Sequence, residues 1–205
     1  MNSEPAVLSL KNKCAVITGA TTGIGRGIAI AYAAAGASVV INFAPEQTHP
    51  DELLKAIETA GGQAIAVQAD ISDLATHAKL LDAAITRFGR LDILVNNAGI
   101  KGKLPALEVD PALWDAVMGV NLRGPFFLAQ SAAKIMTANQ TKGRIINVTS
   151  MHESKALRGS AVYSISKSGL GMMTKSLALE LDRDDPTCLR RSGAARPRHQ
   201  QNPLR

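Results

Sequence analysis

Apolar and polar positions along this chain alternate between two patterns. Short runs that are apolar on both faces predict five buried strands: KCAVITG (13–19), ASVVINF (37–43), QAIAVQAD (63–70), LDILVNNAG (91–99) and GRIINVTS (143–150). Between them lie stretches whose apolar residues recur at helical spacing. GIGRGIAIAYAAAG (23–36) predicts a helix stopped by Gly36, and PDELLKAIETAGG (50–62) one opened by Pro-Asp and closed by Gly-Gly. SDLATHAKLLDAAITRFG (72–89) predicts a helix capped by Ser72. A long helix is expected over 111–138, bent near Gly124-Pro125, and a last one over 160–182. Strand and helix in alternation imply an α/β fold, a parallel sheet covered on both faces, and right-handed crossovers make it doubly wound. No internal repeat or linker divides residues 1–182, so they are expected to form one domain, followed by an atypical basic tail over 183–205.

Composition narrows the class. With 46% apolar residues, 20% charged and 3% aromatic, the chain is suited to a packed core and not to disorder. The net charge of +6 suggests nucleic acid until its distribution is read. Six arginines and two aspartates in 183–205 supply +4, leaving 17 basic and 15 acidic residues in the rest. The body has no aromatic-interleaved basic face, so no nucleic-acid partner is expected. No run is long enough to span a membrane and no signal opens the chain, which predicts a soluble cytoplasmic protein. Cys14 falls within a strand and is expected in the core; neither it nor Cys188 has metal-ligand spacing, and the four histidines are scattered, so no metal site is expected.

The chemistry is concentrated at strand ends. The first strand–helix junction reads TGATTGIG (18–25). Gly19 lets the chain leave the strand sharply, while Gly23 and Gly25, with Thr22 and Ile24 between and beside them, free space where a helix N-terminus meets a pyrophosphate. The G-x-x-x-G-x-G spacing lengthens the first interval of the G-x-G-x-x-G fingerprint. Asp70, with Ile71 beside it, closes the third strand; its carboxylate either accepts from an adenine amino group or helps cap the next helix. Asn97, Ala98 and Gly99 close the fourth, where small residues let a cofactor lie flat and asparagine ties loops together. The second strand ends at Asn42 in INFAPEQ. No carboxylate stands there to repel a 2′-phosphate and no arginine follows to attract one, so the chain leans toward NADP over NAD.

YSISK (163–167) places Tyr163 and Lys167 one helical turn apart. A phenol ordinarily loses its proton near pH 10, and an ammonium one turn away favours the phenolate. Such a pair can move a proton at a substrate oxygen while hydride moves at carbon. Ser150, thirteen residues earlier at the end of the fifth strand, can hold the same oxygen.

Together, TGATTGIG, NNAG, VNLRG, the serine of INVTS and YSISK resemble the short-chain dehydrogenase/reductase family, over residues 10–182. The resemblance implies a Rossmann-like fold, a nicotinamide cofactor and a catalytic group of Asn121, Ser150, Tyr163 and Lys167. Asn121 would hold a water in a proton relay from Lys167, and Lys167 would also bind the nicotinamide ribose. VVINF, AGGQAIAVQAD and INVTSMHE resemble the bacterial glucose 1-dehydrogenases, with 3-oxoacyl-carrier-protein reductases next. Relatives of this kind are commonly homo-oligomers, tetramers or dimers, built on the long helix and the Tyr-bearing helix. The expected function is an NAD(P)-dependent oxidoreductase acting on a small alcohol or carbonyl, with MHESKALRGS (151–160) lining the substrate side and Met151, His152 and Glu153 polar enough for a polyol.

After LALELD the resemblance stops. The family's sixth and seventh strands, its Pro-Gly-x-x-x-Thr-Pro segment and its substrate helices are expected to be missing, with an arginine-rich tail in their place. One explanation is an out-of-frame translation: codons possible for ARPRHQQNPL, read one nucleotide along, permit Ala-Pro-Gly followed by a Thr-Pro. The coding DNA tests this, since the idea fails if no forward shift restores a long family-like frame. The alternative expectation is a truncated, non-catalytic dinucleotide-binding module.

Overall fold

The structure, a computed structural model, describes residues 9–47 and 49–181. The predicted tail, Cys188 included, lies outside them. Five strands form one parallel sheet: β1 (Cys14–Ile17), β2 (Ser38–Phe43), β3 (Gln63–Gln68), β4 (Ile93–Asn96) and β5 (Arg144–Asn147), in the order β3-β2-β1-β4-β5. The chain runs outward from β1 to β3 and then returns to the other side of β1. The switch point between β1 and β4 opens a crevice at the carboxyl ends of the strands.

Alternation along each strand separates two cores. Cys14 and Val16 face one way and join Leu80, Leu81 and Ala84 of α3 (His77–Phe88) and Leu128, Ala129 and Ala132 of α5 (Gly124–Ala138). Ala15 and Ile17 face the other way and join Ala29 and Ala33 of α1 (Gly23–Ala34) and Leu53 and Ile57 of α2 (Asp51–Thr59). Both faces are therefore covered, as continuous apolar runs require. Each fully buried Leu or Ile contributes about 1.5–3 kcal/mol. Cys14 is core, and burial beside Asp92 pushes its thiol up to about 12.

Two predicted helices differ in detail. The long helix divides into α4 (Pro111–Met118), a π-helical turn Gly119–Arg123 and α5. A Cβ at Gly124 would strike the Ile71 carbonyl, and Pro125 has no N–H for the helical ladder. The wider turn absorbs both constraints, its register set by the Gly124 N–H donating to Gly119 five residues back. The third helix does not start at Ser72. A short 3₁₀ turn, Leu74–Thr76, is capped by the Asp73 carboxylate accepting from the Ala75 N–H, and α3 follows at His77. Ser72 is held instead by Asp70, whose Oδ1 accepts from both its N–H and its hydroxyl at 2.8 Å. The last helix, α6 (Ala161–Glu180), packs beside β5 and the π turn.

Candidate active site

The glycine loop leaves β1 and enters α1. Gly19 has φ +59° and lies against Ala98, where a Cβ would come within 2.9 Å of backbone. Gly25 also serves packing: a Cβ there would strike the Gly19 carbonyl and the Asn97 amide. Gly23 is the glycine that faces open space, with φ +53° and no atom within 4 Å of a Cβ position. Thr22, the N-cap of α1, makes no side-chain capping bond and the first turn carries no acid. The helix thus offers unpaired N–H groups and a positive dipole end beside an uncovered glycine, and Ile24 stands 67% exposed above it. These features fit a pyrophosphate.

Asparagines and a threonine hold the loop from below. The Thr18 hydroxyl accepts from the N–H groups of Asn97 and Ala98 at 2.9 and 3.0 Å. The Asn97 amide donates to the carbonyls of Thr18 and Gly19, both at 2.9 Å. Asn42 is buried beneath the loop; its Oδ1 accepts from the Gly19 N–H at 3.2 Å and its Nδ2 donates to the Ala69 carbonyl at 2.9 Å. Asn42 is therefore a brace, and the first side chains free to meet a ribose lie beyond it in residues 44–47, where Gln47 folds back onto Ala44 and Thr21. Asp70 remains half-buried at the end of the cleft, whereas Ile71 is buried under Gly124.

A second cluster gathers around α6. The π turn directs Asn121 inward, fully buried. Its Oδ1 accepts from the Ile100 N–H at 2.8 Å, while its Nδ2 donates to the Ile100 carbonyl and to Ser166 Oγ, both at 3.0 Å. Lys167 is 4% exposed, and its Nζ donates to the Val148 carbonyl at 2.9 Å. Burial pushes the ammonium below the usual lysine range. A Cβ on Gly99 would lie 3.3 Å from Asn121 Oδ1 and 3.5 Å from Lys167 Nζ, so the glycine just beyond β4 lets the two come together. Lys167 Nζ lies 5.9 Å from the Tyr163 ring centroid. The Ser150 hydroxyl accepts from the His152 N–H at 3.2 Å, and the His152 ring meets that of Tyr163 edge-to-face at 5.1 Å between centroids. His152 Nδ1 pairs with Ser164 Oγ at 3.0 Å.

Of the predicted substrate-side residues, His152 touches the cluster and Met151 is exposed, but Glu153 is turned away against Gly171 of α6. Ser166 and Thr18 were not predicted. Each is a lone small polar residue within a motif already read for its neighbours, and its partner is distant in the sequence.

The family model described as short chain dehydrogenase matches residues 13–187. The chain belongs to the short-chain dehydrogenase family. It is 39% identical over 173 residues to a 3-oxoacyl-[acyl-carrier-protein] reductase of Synechocystis, covering 84% of this chain and 70% of that protein. It is 38% identical over 172 residues to glucose 1-dehydrogenase 2 of Bacillus subtilis, covering 83% and 66%. A metagenomic short-chain oxidoreductase solved in complex with NADP superposes with a TM-score of 0.78 at 35% identity, over 86% of this chain and 78% of that one. The chain thus spans about two thirds of the length of the curated relatives it matches. Short-chain dehydrogenases are enzymes that bind NAD(P), and the five-stranded parallel sheet is the Rossmann-like frame on which the cluster above is mounted. Among the described residues no helix is long and apolar enough to cross a membrane.

Proposed function

We propose that this chain carries the catalytic apparatus of an NAD(P)-dependent oxidoreductase that interconverts an alcohol and a carbonyl. The observation that carries the reading is Lys167: a buried ammonium with one acceptor, Val148, placed beside Tyr163 and facing Gly99. A buried cation with N–H groups in reserve is unfavourable unless a ligand uses them. A nicotinamide ribose at Gly99 would do so.

A bound nicotinamide cofactor supplies or accepts hydride at the substrate carbon. Gly23, the uncapped first turn of α1 and Ile24 would hold its pyrophosphate end; Gly99 and Lys167 would hold the nicotinamide end. Tyr163 donates its phenolic proton to the carbonyl oxygen in reduction and takes the hydroxyl proton in oxidation. Ser150 holds that oxygen, its own oxygen oriented by the His152 N–H. Lys167 keeps positive charge beside the phenol and aligns the ribose. Asn121 fixes the loop that begins at Ile100 and so sets the floor of the site; a relay water between it and Lys167 belongs to this proposal.

NADP(H) is the preferred cofactor in this reading. Asn42 is buried, Phe43 is buried behind it, and no carboxylate closes β2. The working form is a cytoplasmic homo-oligomer. An apolar groove of about 540 Å³ between α5 and α6, lined by Leu122, Phe126, Phe127, Met172 and Leu177, supports a second copy there. Titration of NADPH and NADH by nicotinamide fluorescence, then turnover with glucose or a 3-oxoacyl thioester, tests the function. Binding with turnover, lost in Tyr163→Phe, is the expected result. Binding without turnover in the native chain would mean a dinucleotide-binding module.

A further inference from the structure

We propose that the substrate mouth is built for an anionic substrate with an apolar stem, whose negative group sits outside the reacting centre against Lys101, Lys103, Lys155 and Arg158. The inference rests on the oxidoreductase reading for the identity of the reacting end, and on the surface itself for the charge. Two loops frame the mouth. One follows β4 from Gly99, where Asn121 Oδ1 and Lys167 Nζ converge, and continues through Ile100, whose N–H and carbonyl both bond Asn121. The other joins the Ser150 turn to the helix that bears Tyr163. They meet where the Leu104 N–H donates to the Gly159 carbonyl at 2.9 Å, and the Lys103 stem passes Gly159. Both loops thus start from catalytic positions and close on each other.

Their charge is one-sided. Residues 99–105 and 154–160 hold two lysines, then a lysine and an arginine, with no acid, although residues 1–182 as a whole are near balance at 17 basic to 15 acidic. All four cations are exposed, and none makes an ion pair or side-chain hydrogen bond among the described residues. The neighbouring acids do not neutralise them: Glu153 lies against Gly171, Asp110 caps α4, and Glu108 is exposed on the turn beyond. Ile100 and Leu157, 40% and 53% exposed, supply apolar surface on the same two loops. A neutral polyol gains nothing from unpaired cations. A carboxylate or phosphate does, because like-signed charges around a cleft raise the local concentration of counter-charged ligand by about tenfold or more.

The test compares two thioesters with the same reacting end: acetoacetyl-CoA, which carries phosphates, and S-acetoacetyl-N-acetylcysteamine, which does not. Each is titrated calorimetrically into the full chain with NADP⁺ saturating, so that the nucleotide cleft is occupied. We expect acetoacetyl-CoA to bind about tenfold tighter at low salt and the difference to shrink at about 0.5 M NaCl, where the Debye length falls below about 5 Å. Lys103→Glu with Arg158→Glu should abolish the difference while leaving NADP⁺ and the uncharged ester unaffected; Lys101→Gln with Lys155→Gln is the milder pair should the first lose NADP⁺ binding. Equal affinities in the native chain, no binding of acetoacetyl-CoA, or a difference that survives both variant pairs overturns the proposal. Turnover with NADPH is followed separately: charge-dependent binding without turnover keeps the anionic mouth and removes the oxidoreductase reading.

Discussion

Strand β2 lies between two neighbours and buries five of its six residues, whereas β5 has one neighbour among the described residues and buries none of its four. Strand β2 is thus held by apolar packing on both faces. Around β5, Ile145 packs partly buried against the core and a set of polar contacts supplements it. Asn96 Nδ2 donates to Asn147 Oδ1 at 2.9 Å, Asn147 Nδ2 to Thr174 Oγ1 at 2.9 Å, Lys167 to Val148, and Asn121 to Ser166. Each crosses between elements far apart in the chain. Apolar burial stabilises without direction; hydrogen bonds contribute less per contact but fix orientation. A cofactor needs a shaped cleft, and a proton transfer needs aligned atoms.

The contrast can be broken from either side. The largest expected effect is catalytic. Tyr163→Phe should lower kcat about 10³-fold, within the range of a lost general acid–base, while the NADPH dissociation constant stays within a few-fold; a large change in both would merge the two regions into one cooperative unit. Next is packing. Ile41→Ala in β2 should cost about 3 kcal/mol in urea unfolding and Ile146→Ala in β5 less than about 1 kcal/mol, because Ile41 is fully buried and Ile146 is 40% exposed. Equal costs would show that β5 is covered in solution.

Asp92, at the opposite end of the sheet from the site, sharpens the picture with pH. Burial raises its carboxyl, but Arg90, the Cys14 N–H and Lys13 outweigh that and hold it below the usual 3.8. A depressed carboxylate contributes stability above its unfolded value that is lost as pH falls through the folded one. Asp92→Asn should therefore cost about 2 kcal/mol at pH 7 and almost nothing at the acid end, read from thermal midpoints across pH; a constant cost would mean that charge is irrelevant there. The smallest effect on stability is at Lys167. Its lowered value means that the unfolded chain keeps this proton to higher pH, so the folded state is penalised at neutrality and the penalty fades toward pH 10.5. Lys167→Met should raise the thermal midpoint slightly at pH 7, flatten the alkaline gain and abolish turnover. A lower midpoint would show that the Val148 bond outweighs burial.

Much of this was legible in order along the chain. Gly19, Gly23 and Gly25 stand at a junction whose strand and helix are local patterns, and Tyr163 and Lys167 are neighbours on one helix by spacing alone. What was not legible were contacts across the fold. Asn42 read as the strand-end residue at the cofactor-selecting position, but pairing of β2 between β1 and β3 places it under the Gly19 N–H and beside Ala69. Ser72 read as a helix cap, but Asp70 competes for it and a 3₁₀ turn intervenes. Glu153 read as substrate lining, but Gly171 on α6 opens a place for its side chain.

Periodicity decides which residues can be helix or strand, because it depends on backbone geometry repeated every two or 3.6 residues. The motifs at strand ends and the family followed from that local order. Whether a glycine makes room for a ligand or for a carbonyl, which asparagine braces and which one reaches inward, and that the loops after β4 and after Ser150 meet at Leu104 and Gly159 were decided only when the sheet order brought distant segments within hydrogen-bonding distance. Those contacts depend on sequence separation of tens of residues, which no local pattern encodes.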